Sequence, residues 1–120
     1  METSKNHLIR NFLRNGRLRV NLFIKVIGCQ PVNSPVMKLS VEAGKIVEFD
    51  SKPTLSDGSA GGVEDQAITY DICRLGIDKW IEVSEDEIKK AIYYVYKYHN
   101  KTIEGAAGVA VASFLKMVWK

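Results

Sequence analysis

"IEGAAGVAVASFLK", Ile103 to Lys116, sets the fold problem. One carboxylate, Glu104, precedes an unbroken run of Gly, Ala and Val from Gly105 to Ala112, then Ser113, Phe114 and Leu115. A solvent-facing helix would carry Lys, Glu and Gln. A membrane span would need roughly 20 apolar residues, and this run is shorter and ends in Lys116. Small side chains let backbones approach closely, so the stretch reads as a helix pressed against its neighbours. Glycine inside a helix costs up to about 1 kcal/mol relative to alanine. Gly105, at the start, escapes most of that cost. Gly108 does not, so close packing is expected there. Glu104 stands at the helix entrance, where backbone N–H groups and the dipole favour an anion. On the residues alone it either serves its own helix or faces something bound beside it.

The surrounding chain supports one compact α/β domain. It has 120 residues, with 46% hydrophobic and 26% charged, which excludes a disordered composition. The net charge of +3 is concentrated early, in Arg10, Arg14, Arg17, Arg19 and Lys25. Without a nucleic-acid motif these read as a solvated helix face and linker, so no nucleic-acid partner is expected. Residues 1–24 are therefore set apart as a basic N-terminal helix or linker, with Leu8, Ile9, Phe12 and Leu13 at helical spacing. Cys29 and Cys73 show no metal spacing and lie in apolar runs, as buried reduced thiols of a cytoplasmic protein would. No signal peptide is expected. His7 and His99 are isolated, so neither a metal site nor a Ser-His-Asp set is predicted.

From Asn21 onward, strands and helices alternate. "NLFIKVIGC" reads as a buried strand bounded by Gly28 and Pro31. Ser34 and Pro35 look like the N-cap and first residue of a helix that Gly44 stops in the left-handed conformation. "KIVEF", Lys45 to Phe49, predicts a second strand. A helix is expected from about Asp65 to Leu75, closed by Gly76, and "DKWIEV" predicts a third strand. "SEDEI" is a strong helix start, with Ser84 as cap and Glu87 completing a capping box. Ile88, Ala91, Ile92, Val95 and Tyr96 form the expected buried stripe, with Tyr98 at its end. "KTIE" predicts a last short strand. Strands joined through helices favour a largely parallel, helix-covered sheet.

The longest loop, "SDGSAGG" from Ser56 to Gly62, lies between a strand and a helix, where α/β ligand sites form. Its glycines would let backbone approach a ligand, and exposed N–H groups could hold an anion. An anion-binding module is thus one functional reading, although the spacing does not match a nucleotide phosphate loop.

Two separated stretches go beyond patterning. "GCQPVNSPVMKLSVEAGKIVEF…PTLSDGSAGGVEDQAITYDICRLGIDKWIEVSEDEI", followed by "IEGAAGVAVASFL", resembles the C-terminal half of the pyridoxal-phosphate-dependent threonine/serine dehydratases. These share the fold of the tryptophan synthase β subunit, fold type II among pyridoxal-phosphate enzymes. The resemblance implies that residues 25–120 are a partial, truncated domain of that kind. It assigns Gly58 to a backbone contact near the cofactor ring and Glu104 to the acidic residue beside that ring. The family removes the α-proton of serine or threonine, expels the β-hydroxyl and releases ammonia and a 2-oxo acid.

Other parts of the pattern are missing. No lysine stands in the "S-x-K-x-R-G"-like motif that carries the Schiff base. "ETSKNHLIR", without glycine, occupies the place of the tetraglycine phosphate loop. The polar residue that meets the pyridine nitrogen lies, in the family, beyond the small-residue helix. Gln30, Ser34 and Val36 fill the places of the family's cation ligands and offer no carboxylate. The expectation is a domain with no catalytic residue of its own and no cofactor in the isolated chain. It would associate with itself, most simply as a dimer, to cover a sheet edge or helix faces. The alternative is a dehydratase subunit whose partner supplies the lysine and the phosphate loop.

Overall fold

The computed structural model describes residues 25–119. The basic segment 1–24 and its expected helix lie outside the described residues. Two parallel strands, β1 (Ile27–Pro31) and β2 (Lys79–Val83), form the sheet, in register from Ile27 opposite Lys79 to Pro31 opposite Val83. Among the described residues, four helices accompany them: α1 (Val36–Ala43), α2 (Ile68–Gly76), α3 (Glu85–His99) and α4 (Gly105–Val118). A single 3₁₀ turn, Asp57–Ser59, interrupts the long loop between α1 and α2.

The expected parallel sheet covered by helices is present. β1 runs through Gly28 rather than starting or ending there, because Gly28 pairs with Trp80 on β2. A Cβ at Gly28 would stand 2.4 Å from the Trp80 ring, so the missing side chain makes room for the indole. Val83 and Ile88 are completely buried, and they form the core with Ile81, Ala91, Val109 and Ala112. Full burial of a side chain such as Ile88 is worth about 2 kcal/mol. The core thus lies where α3 and α4 cross the sheet, and α4 touches α3, both strands and the 3₁₀ turn.

α4 owes that central place to its glycines. At Gly108 an added Cβ would lie 2.9 Å from Ile92 Cγ1 and 3.2 Å from Ile88 Cγ2, which is the close packing expected there. α3 starts as predicted. Glu87 N–H donates to Ser84 Oγ (3.2 Å) and Ser84 N–H donates to Glu87 Oε2 (2.7 Å). Lys116, in the last turn of α4, reaches Glu87 Oε1 at 3.1 Å and donates to the Glu82 carbonyl at 3.0 Å. Val83 carbonyl accepts from Val32 N–H. Alternation along β2 therefore turns the Glu82 carbonyl toward the edge away from β1, where Lys116 satisfies it.

Several expectations fail, each for a reason outside the local sequence. "KIVEF" forms no strand. Its backbone is held by Ser40 instead: Lys45 N–H donates to the Ser40 carbonyl and Val47 N–H to the buried Ser40 Oγ (3.1 Å). "KTIE" forms no strand either. Ser34 does not cap α1, whose N-cap is Pro35. Gln30 Oε1, projecting from β1, accepts the Lys38 N–H of the first turn at 2.8 Å and substitutes for the cap. Ser34 is completely buried and bonds Ser51 Oγ at 2.7 Å. Lys38 Nζ also meets Glu82 Oε2 at 2.9 Å and Glu42 Oε1 at 3.3 Å. The hydrogen bond to Glu82 chiefly raises its pKa, with burial opposing and Glu42 adding to the rise. α2 begins at Ile68, three residues later than the earliest start expected, after Gln66 adopts a left-handed φ of 64°. Gly76 is its last residue, whereas Gly44 stops α1 at φ 72°, as predicted. Tyr96 and Tyr98 do not belong to the buried stripe; both are about three-fifths exposed (59% and 63%). Cys29 and Cys73 are half-buried rather than buried. Burial alone pushes the Cys73 thiol pKa up.

Candidate functional site

The 3₁₀ turn and the first residue of α4 meet. At Gly105 an added Cβ would stand 1.7 Å from the Leu55 carbonyl oxygen and 2.9 Å from Ser56 N. Only glycine permits that approach, so the loop backbone rests directly on the helix start. The contact carries the turn to Glu104. A Cβ at Gly58 would have one neighbour within 4 Å, Glu104 Oε2, at 3.8 Å. Gly58 and Glu104, 46 positions apart in the chain, are thus brought together, and both are exposed.

Glu104 does not serve its own helix. It is the N-cap of α4 in extended conformation, yet its side chain makes no capping bond. The carboxylate is left facing outward beside Gly58. The Gly58 N–H is taken by Asp57 Oδ1 at 2.9 Å, so the carbonyl is the polar group Gly58 can offer.

The turn is held from within. Ser56 is completely buried, its N–H donates to Thr54 Oγ1 at 3.1 Å, and its hydroxyl bonds that of Ser59. Ser59 N–H goes to the Ser56 carbonyl and Ala60 N–H to the Asp57 carbonyl. Gly61 N–H donates to Ser34 Oγ at 3.1 Å. Four successive N–H groups, 58 to 61, therefore have partners inside the chain. The loop presents no nest of free N–H donors there, which corrects the expectation of an anion-binding module at Ser56–Gly62.

Sequence reasoning missed two members of this site. Gly105 was expected only to be tolerated at the helix start, and its contact with Leu55 becomes visible only when the loop is in place. Glu85 lies in the "SEDEI" helix start, which by itself assigns it no contact outside the helix. Its Oε2 instead accepts the Leu55 N–H at 2.8 Å. The places of the family's cation ligands are committed elsewhere: Gln30 to α1, Ser34 to the loop, and Val36 to the interior at 1% exposure. Among the described residues, no group of three or more His, Cys, Asp or Glu could hold a metal, and no helix is long and apolar enough to cross a membrane.

Residues 9–118 match the family of pyridoxal-phosphate dependent enzymes, and the chain belongs to that family. It is 34% identical over 96 residues to an L-threonine ammonia-lyase of Thermotoga maritima, covering 80% of this chain and 24% of that protein. It is 33% identical to the catabolic L-threonine dehydratase of Escherichia coli K12, covering 80% of this chain and 29% of that protein. Among solved structures it is similar to the processed form of threonine deaminase isoform 2 from Solanum lycopersicum. That match has 28% identity and a TM-score of 0.74, over 88% of this chain and 30% of that one. Maize serine racemase shares the fold, with a TM-score of 0.75 at 24% identity, over 90% of this chain and 33% of that one. The neighbours are fold type II pyridoxal-phosphate enzymes. The chain spans about a quarter to a third of the length of these relatives.

The described residues fit one side of such a cofactor only. A carboxylate and a side-chain-free backbone position suit the edge of an aromatic ring. The internally bonded N–H groups of residues 58–61 do not suit its phosphate.

Proposed function

We propose that the chain is a threonine/serine dehydratase-like segment that supplies the ring side of a pyridoxal-phosphate site and turns over no amino acid by itself. The observation that carries this reading is that Glu104 Oε2 lies 3.8 Å from where a Cβ at Gly58 would stand, with neither residue's side-chain position spent on local structure beyond the Asp57 turn. When bound, pyridoxal phosphate supplies an electron sink for loss of the α-proton and β-hydroxyl of serine or threonine. In this reading Gly58 leaves room for the ring, and Glu104 holds negative charge at its edge. The α4 dipole favours that charge. The lysine that holds the cofactor and the cradle for its phosphate have to come from another chain or segment, because without them there is neither a covalent anchor nor an anion seat.

Self-association belongs to the same proposal. Tyr93, Tyr96, Phe114 and Trp119 are each about three-fifths exposed or more, and a second copy would remove such area from water. A cytoplasmic setting is proposed with it.

The purified chain mixed with pyridoxal phosphate is expected to show no yellow adduct, no borohydride-trapped pyridoxyl-lysine and no ammonia from serine or threonine. It is expected to sediment as a dimer. Ammonia release with a trapped lysine would overturn the non-catalytic reading, and a monomer would overturn the association. The ring-side assignment has its own test. Mixing with a lysine-bearing N-terminal portion of a threonine dehydratase should restore the chromophore, and persistent lack of colour in a formed complex would sink it.

A further inference from the structure

Leu55 leads into the turn that holds Gly58, and two unrelated contacts pin it. Its carbonyl lies against Gly105. Its N–H donates to Glu85 Oε2 across 30 positions of chain. The other oxygen, Glu85 Oε1, is buried without a hydrogen-bond partner. An acidic residue that served only the helix dipole would keep its carboxylate in water, as the exposed Asp86 does next to it. The start of α3 is already capped by the reciprocal bonds of Ser84 and Glu87, so Glu85 is not needed there. What Glu85 does uniquely is accept the Leu55 N–H.

We infer that Glu85 is a positioning residue, which clamps the 55–59 turn onto the start of α4 and thereby sets the spacing of Gly58 and Glu104. Its importance for a cofactor rests on the ring-side reading of that pair, but the clamp itself can be tested without cofactor. Only one oxygen is used, so Gln can replace Glu as acceptor while losing the charge, and Ala loses both.

Native-state amide exchange of the full chain separates the roles. In Glu85→Ala, the amides of Ser59, Ala60 and Gly61 should exchange about tenfold faster relative to that of Ala91 in α3, as expected for one lost bond to a charged acceptor. In Glu85→Gln they should stay within about twofold of wild type, since an acceptor remains. A residue acting only on the helix terminus would shift the thermal stability of both variants alike and leave the turn amides unchanged relative to Ala91. That result overturns the inference. If Glu85→Ala does not fold, the Leu55 amide decides: protection in wild type and in Glu85→Gln supports the clamp, and exchange at the unfolded rate in wild type overturns it. Protected turn amides together with failed chromophore complementation would remove the cofactor reading and leave the clamp standing.

Discussion

Helices α3 and α4 begin on nearly the same backbone and use it in opposite ways. Ser84 caps α3 at φ −77° and ψ 163°, and Glu104 occupies the N-cap of α4 at φ −75° and ψ 168°. Ser84 spends its hydroxyl on the helix it starts, and Glu87 answers from the first turn. The Glu104 side chain makes no capping bond to α4; its carboxylate stands beside Gly58, in another part of the chain. The first terminus is finished locally. The second is completed by a loop that rests on Gly105 and leaves a charged group free. A helix start that leaves its own capping capacity unused is where binding can be accommodated, because no structural bond has to break first.

The largest test of that contrast is Gly105→Ala. Its Cβ would overlap the Leu55 carbonyl, so loop or helix must move, and unfolding in urea should show a loss of about 3 kcal/mol, the upper end of overpacking costs. The equivalent first-turn substitution in α3, Asp86→Ala, faces solvent and should cost about 0.5 kcal/mol or less. Gly108→Leu comes next. It drives a side chain into Ile88 and Ile92 and should cost about 2 kcal/mol by the same measurement. Unchanged unfolding would show that this face of α4 is not packed.

Ser84→Ala should cost about 1 kcal/mol by removing the cap, and it sharpens the comparison through pH. Burial pushes the Glu87 pKa up, but the Ser84 N–H and Lys116 outweigh it, and the carboxyl is held below its ordinary value. A lowered folded pKa stabilises above the unfolded value, and that contribution disappears as pH falls through the folded one. Acid titration of stability should therefore lose part of its slope below about pH 4.5 in Glu87→Gln. Glu104→Gln is expected to have the smallest effect, about 0.3 kcal/mol, because only the dipole term is lost and no capping bond exists to break. A loss near that of Ser84→Ala would mean that the two termini are alike after all.

What could be read from residues follows the range of the interactions that decide it. The Ser84 box, the left-handed Gly44 and the close packing at Gly108 are contacts within a turn or between adjacent helices, and they were visible in the chain. The pairing of Gly58 with Glu104 came from family resemblance, since no local pattern connects a loop to a helix so distant in sequence. Strand prediction at Lys45–Phe49 failed because β-branched residues permit a strand but only a partner makes one, and Ser40 took the Val47 N–H instead. Tyr96 fitted the helical stripe by spacing, but it is 59% exposed, one turn beyond the Ile92 that packs against Gly108.

By itself, the sequence determined where α3 begins, that Gly44 ends α1 and Gly108 thins α4, and that strands joined through helices would favour a parallel sheet. Each of these is encoded by side chains within a few residues or by a strong apolar pattern. Only the tertiary structure decided that Leu55 would lie on Gly105, that Glu85 would hold it, and that Glu104 would turn away from its own helix. Those outcomes depend on backbone atoms of separate segments meeting at van der Waals distance, and a backbone atom carries no signature in the residue that bears it.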